Sequence, residues 1–313
     1  MVILGLHWTI WVILILYFAG MLLMGWWSKD SAGTSEGYLM GERKFGTAMM
    51  MMHGFGAGTN PGDVAGVVSG KVSTGESGIW ASWIWMFGTP FYWIIAPIVR
   101  RMRCLTIAEY FEERFGKAAS ALYVVVAGFG MAICLASVLL ATSGTALGMM
   151  GKAGTARAEA WRLGILVVCT FVFMIYGYWG GIVAAIRTDM LQGLGIILLS
   201  ILAVPAALRL PEVGGFSGLR EALTAASSEG TNYLSLFDPE DFQISVVLLL
   251  CIQAPLTALG LPHLVTVCGA GKTEWEGRAG YAGGNMLKRI CTIGWAILGL
   301  CWLAYLVQTG QSI

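Results

Sequence analysis

"MHGFGAGTNPGDVAGVVSGK", residues 52–71, decides how this chain is read. It lies within a run otherwise apolar enough to cross a bilayer. Glycine recurs at 54, 58, 62, 66 and 70, and Asn60-Pro61 splits the series. Pro61 has no amide to offer the carbonyl of Ala57, and its ring drives Asn60 out of helical geometry. A helical span is therefore expected to break at about 56–61. In hydrocarbon each unpaired peptide group costs several kcal/mol, so such a break must line a polar cavity or be covered by protein. Gly62, Gly66 and Gly70 share one face beyond the break and are expected to form a groove for a neighbouring helix.

The surrounding composition places the break in a membrane. The 313 residues are 57% hydrophobic and 12% charged, against about 25% charged for a soluble domain. A net charge of +1 gives no bias toward nucleic acid, and none is expected as a partner. The seven cysteines lie mostly in apolar runs, without disulfide or zinc spacing. No charge precedes Lys29 and the first apolar run is long, so it is read as a permanent span rather than a cleaved leader.

Apolar stretches long enough to span give eight candidates, at 5–27, 46–70, 78–99, 119–150, 163–186, 190–208, 243–268 and 290–309. With the N-terminus outside, thirteen of the 19 basic residues, Lys288 and Arg289 among them, fall in inner segments, which favours that orientation. "LTIAEYFEERFG" reads as a short helix at the inner surface, opened by a capping box of Thr106 and Glu109. Residues 209–241 form a long outer connection with a helical turn near 219–226.

"CIQAPLTALGLPHL", in the seventh span, carries a second lesion in Pro255, Gly260 and Pro262. The two interrupted spans are five apart. Five is odd, so the later one enters from the opposite side, as in an inverted five-helix repeat. Paired interrupted spans of this kind mark the central site of transporters; two ordinary proline kinks are the bland alternative. Asp63 near mid-span costs about 2.5–3.5 kcal/mol on insertion scales, which marks function unless water reaches it from the outer interface. "GAGKT" at 269–273 lacks the first glycine of a phosphate loop, because position 266 is Thr266. No nucleophile with a base and no paired acids argue for an enzyme.

"GYLMGERKFGT", the broken span, "LTIAEYFEERFG", "YGYWGGIVAAIRTDMLQG" and "GLPHLVTVCGAGKTEWEGRAGYAGG" follow one another in this order. In these elements the chain resembles the sodium/solute symporter family. The resemblance implies an all-α polytopic membrane protein with the inverted repeat of the leucine transporter. It implies an extra N-terminal helix at 5–27, a first repeat at 46–208, and the first two helices of a second repeat at 243–309. On this reading the second repeat is incomplete at Ile313, short of the helix that supplies hydroxyl ligands to sodium in the family. The resemblance further implies sodium as coupling ion, held at Gly56, Ala57 and Thr59, with Asp189 on its route to the cytoplasm. Thr188 or Asp189 also suits an N-cap after Gly180-Gly181. Solute contacts are expected from Asn60, Asp63, Trp83, Tyr92, Gln253 and Thr257. The aromatic cluster of the third span reads more as belt and packing than as a sugar platform. The implied activity is sodium-coupled symport of a small organic solute across the plasma membrane. A non-transporting accessory or sensor protein on the same fold is the alternative.

Overall fold

A computed structural model of the chain describes residues 2–227, 232–238, 240–259 and 261–311. A short hairpin (Val2–Ile3 and Leu6–His7) leads into α1 (Trp8–Ser28), and α2 (Ser35–Met40) follows. The broken span is α3 (Thr47–Ala57) and α4 (Pro61–Thr74). Helices α5 (Trp80–Trp83), α6 (Thr89–Met102), α7 (Ile107–Phe115), α8 (Lys117–Met149), α9 (Ala158–Leu208) and α10 (Gly215–Ala226) come next. The second interrupted span is α11 (Ile244–Leu259) and α12 (Leu264–Gly269), and α13 (Glu274–Arg278) and α14 (Gly284–Thr309) complete the described chain.

Each of the eight apolar stretches contains helix, with different punctuation. Among the described residues, five helical stretches are long and apolar enough to cross a membrane. The most apolar, α8, exposes Leu122, Val124, Val125 and Val126 around its circumference, as a helix solvated by lipid does. The third stretch, expected as one span, is cut into α5, a 3₁₀ turn at Ile84–Met86, and α6. Thr89-Pro90 opens α6, where a missing amide costs nothing.

The fifth and sixth stretches join at Gly181, whose φ of 50° and ψ of −141° interrupt α9. A Cβ there would lie 2.6 Å from the Tyr38 carbonyl oxygen, so only glycine fits. The helix then runs on through Thr188 and Asp189, and the Thr188 hydroxyl donates back to the Ala185 carbonyl at 2.9 Å. The N-cap expected at these residues is therefore corrected: they are helix interior, because the backbone turns seven residues earlier. In the seventh stretch α11 continues through Pro255, Gly260 lies outside the described residues, and Leu261, Pro262 and His263 are non-helical before α12 opens at Leu264.

The chain divides into two compact units. The first comprises Met1–His53, Ala96–Leu191 and Pro262–Gly280. Its core packs Phe45, Met50, Val183, Ile186 and Ala270. Gly25 lets α1 lie against Tyr176, where a Cβ would come within 2.8 Å of backbone. "GAGKT" is absorbed into this packing. Phe45 donates to the Ala270 carbonyl, Lys272 donates to the Phe45 carbonyl at 3.0 Å, and Thr273 caps α13. Arg100 spans the same turn, donating to the carbonyls of Gly269 and Lys272. Thr106 caps α7 as expected, but Glu109 reaches the amide of Leu105 at 2.6 Å rather than that of the cap itself.

The second unit comprises Gly54–Ile95, Gln192–Leu261 and Tyr281–Ile313. Here α14 lies along α4, and α10 covers α14 through Leu219, Leu223, Leu300, Leu303 and Ala304. The connection after α9 thus holds a full amphipathic helix where a turn was expected. The close helix approach comes from glycines on α14. A Cβ on Gly299 would lie 2.9 Å from the Val68 carbonyl oxygen, and one on Gly284 would lie 2.6 Å from the Gly54 carbonyl carbon. The groove expected of Gly62, Gly66 and Gly70 is corrected accordingly. Gly70 meets Gly78, a Cβ on Gly66 would meet nothing within 4 Å, and Gly62 and Gly66 border a cavity.

Candidate cation and solute site

The backbone leaves helical geometry at residues 58–60, where the sequence requires it. Asn60 is extended (φ −138°, ψ 164°) and caps α4 with Pro61 at the first helical position. The cap is reciprocal. Asn60 Oδ1 accepts from the Asp63 amide at 3.2 Å, and Asp63 Oδ2 accepts from the Asn60 amide at 2.9 Å and from Asn60 Nδ2 at 2.8 Å. Placing the acid in the first turn also favours the helix dipole. Thr59 folds back on α3: its amide donates to the Gly56 carbonyl at 3.1 Å and its hydroxyl donates to the Phe55 carbonyl at 2.7 Å.

The partner of the break is α14. Asn285, Lys288, Arg289 and Thr292 follow the i, i+3, i+4, i+7 spacing, so they form one polar stripe on an otherwise apolar helix. Lys288 Nζ donates to the Gly58 carbonyl, exposed by the break, and to Asp63 Oδ2 at 2.9 Å. Its side chain is 12% exposed and that of Asp63 32%. Arg289 donates through Nη1 to the Ser82 carbonyl and to Ser82 Oγ at 2.6 Å. Asn285 Nδ2 donates to the Trp85 carbonyl at 3.0 Å and to Thr89 Oγ1 at 2.8 Å, satisfying the disrupted third stretch. Farther along, Trp295 Nε1 donates to Ser200 Oγ at 2.9 Å.

These groups surround a cavity of ≈ 200 Å³ lined by Gly62, Asp63, Ser82, Trp85, Lys288 and Arg289. Its chemistry is mixed: one carboxylate, one ammonium, one guanidinium, a hydroxyl and an indole wall. Charged groups at membrane depth persist where they pair or face a cavity. Both conditions hold at Asp63 and Lys288.

Of the residues the sequence nominates, Asn60 and Asp63 are together at the break. Gly56 and Thr59 adjoin it, and Ala57 ends α3. Tyr92 is 4% exposed and stacks on Tyr281 with ring centroids 4.2 Å apart. Trp83 keeps its indole N–H buried and without a hydrogen-bond partner. Gln253 and Thr257 lie on an exposed face of α11, where the Thr257 hydroxyl donates to the Gln253 carbonyl at 3.1 Å. Asp189 belongs to the first unit, where His53 Nδ1 lies 2.6 Å from its Oδ2. His53 is 4% exposed, and its Nε2 is buried without a partner.

The sequence reading missed Lys288 and Arg289. It assigned them to a positively charged inner loop flanking a span at 290–309. The structure corrects this: both are inside α14 and shielded, and they do not act as loop charges. The signal was available in the spacing of Asn285, Lys288, Arg289 and Thr292. Ser82 and Ser200 carried no sequence signal, because single serines are common in membrane helices.

The helix arrangement has a counterpart among solved structures. It matches a Na+-coupled sialic acid symporter solved in a substrate-bound, outward-open state, with a TM-score of 0.74 at 18% identity over 96% of this chain and 61% of that one. The leucine-transporter-like fold expected from the sequence is thus the fold of this chain. A family model of the sodium:solute symporters matches residues 38–313, and the chain belongs to that family. Its curated relatives include the osmoregulated proline transporter OpuE of Bacillus subtilis, 25% identical over 95% of this chain and 59% of the relative. A sodium/proline symporter of Staphylococcus aureus is 24% identical over 83% of this chain and 49% of its own length. The chain spans about half to three fifths of the length of these relatives.

Proposed function

We propose that this chain carries the cation- and solute-binding elements of a secondary symporter that couples sodium entry to uptake of a small organic solute. The observation that supports it most is the break at residues 58–60, opened beside a polar cavity inside an apolar helix pair. Backbone oxygens freed by a broken helix suit sodium, a hard cation. Gly56, Ala57 and Thr59 contribute them, with the Thr59 hydroxyl oxygen as an added ligand. Asp189 lies on the ion's path to the cytoplasm. Solute is held by Asn60 and Asp63, with Trp83, Tyr92, Gln253 and Thr257 closing the site when the bundle rocks. Coupling is the difference in solute affinity with and without sodium. The N-terminal helix stands outside the repeats, residues 46–208 form the first, and 243–309 begin the second. The protein resides in the plasma membrane with its N-terminus outside.

The test is uptake by proteoliposomes holding the full chain. Labelled proline and sialic acid, the solutes of the relatives, are offered under an inward sodium gradient and under a matched potassium gradient. Sodium-dependent accumulation that Asn60→Leu abolishes, with expression intact, supports the reading. Uptake absent from every sodium condition supports the accessory or sensor alternative.

A further inference from the structure

Charge around the cavity at the break does not balance. Asp63 brings one negative charge, and Lys288 and Arg289 bring two positive ones. Asp63 Oδ2 already accepts from Lys288 and from both nitrogens of Asn60. Arg289 is left with neutral partners, the carbonyl and hydroxyl of Ser82. It is 4% exposed, and its Nε is buried with no hydrogen-bond partner. Among the described residues no carboxylate reaches it within ion-pair distance. A guanidinium does not shed its proton in proteins, so it cannot escape the cost of burial by becoming neutral. A buried charge whose direct partners are all neutral is expensive in a membrane protein, and the Asp63 carboxylate on the same cavity offsets it only from beyond ion-pair distance.

The cavity beside Arg289 has room for the missing partner. At ≈ 200 Å³ it exceeds the volume of several waters, each taking about 30 Å³. A planar carboxylate matches the guanidinium fork in a way that a hydroxyl cannot. The Trp85 side of the cavity offers an apolar surface to the rest of the molecule.

We infer that this cavity takes an anionic solute, a small monocarboxylate, whose carboxylate pairs with the Arg289 guanidinium while its body packs toward Trp85. The inference rests on the reading of the cavity as the solute site and narrows that reading to one substrate class. Lys288 holds Asp63 in place and leaves Arg289 to recognise the solute.

The experiment uses the full chain in lipid nanodiscs and measures binding calorimetrically for matched probes: lactate against lactamide, and N-acetylneuraminate against its methyl ester. Each pair is run in sodium chloride and in potassium chloride. At least one acid is expected to bind tenfold or more tightly than its neutral partner. Arg289→Gln removes that preference, and Arg289→Lys keeps part of it. The wild-type comparison stands even if neither variant folds. Equal binding of acid and neutral partner, or no binding of either acid, overturns the inference. Acid preference in both salts sustains the anion site and removes sodium coupling. A neutral probe bound only with sodium sustains coupling and removes the anion site.

Discussion

Lys288 Nζ sits 2.9 Å from Asp63 Oδ2, joining α14 to the first turn of α4 beside the gap in the broken span. The pair is shielded on the lysine side, and removing one partner leaves the other charge bare, which costs about 3–5 kcal/mol where burial is complete. Asp63→Asn and Lys288→Met are each expected to lower stability, with the partly exposed acid toward the low end. The double variant should recover part of the loss. Thermal unfolding in detergent, read as a double-mutant cycle, checks this: strictly additive losses would mean that the two side chains do not interact.

Helix approach gives a second prediction. Gly299→Val places new atoms against the backbone of Val68 and the Cβ of Lys71. Overpacking of this kind costs about 1–3 kcal/mol. Gly66→Ala faces open space and gains up to about 1 kcal/mol in helix propensity. A Gly299→Val protein as stable as wild type would contradict the packing of α14 on α4.

Asp189 and His53 allow two roles to be separated. His53→Ala strands a carboxylate in the helix interior and should lower the melting temperature. Asp189→Asn keeps a hydrogen bond to the imidazole and should lower it less. If Asp189 also serves the departing ion, Asp189→Asn slows sodium-driven uptake while leaving solute affinity from the outer side unchanged. Uptake at the wild-type rate would confine Asp189 to holding His53.

Two adjacent arginines should behave differently. Arg101 pairs with Glu274 through Nε at 2.7 Å and Nη2 at 2.9 Å, with most of its side chain exposed. Exposed pairs contribute little, so Arg101→Ala should leave the melting temperature unchanged. Arg100 bridges the carbonyls of Gly269 and Lys272. Arg100→Lys replaces a fork by a point charge and is expected to lower the melting temperature measurably, by an amount that exceeds the effect at Arg101.

The two interruptions were legible because proline and glycine act locally: Pro61 fixes Asn60 wherever the segment ends up. Asn60 and Asp63 were legible for a related reason, since a cap and its acid are three residues apart. Lys288 and Arg289 were not. Hydropathy cannot tell a basic residue that flanks a span from one buried in it, because the difference lies in what another helix brings alongside. Asp189 shows the reverse error. Thr188-Asp189 has the composition of a cap, but the chain had already turned at Gly181, and a polar pair inside a helix looks the same in sequence. The glycine series was read as a contact face from its spacing alone, whereas contact depends on the opposing surface, and here the opposing surface brings its own glycines.

Lys288 carries a mechanical consequence. A single ammonium ties the end of α3, through Gly58, and the start of α4, through Asp63, to one turn of α14. Any displacement that prised α14 away would strip that ammonium of both partners at once. The discontinuity at residues 58–60 is therefore braced rather than loose: parting the start of α4 from the N-terminal turns of α14 forfeits both contacts together.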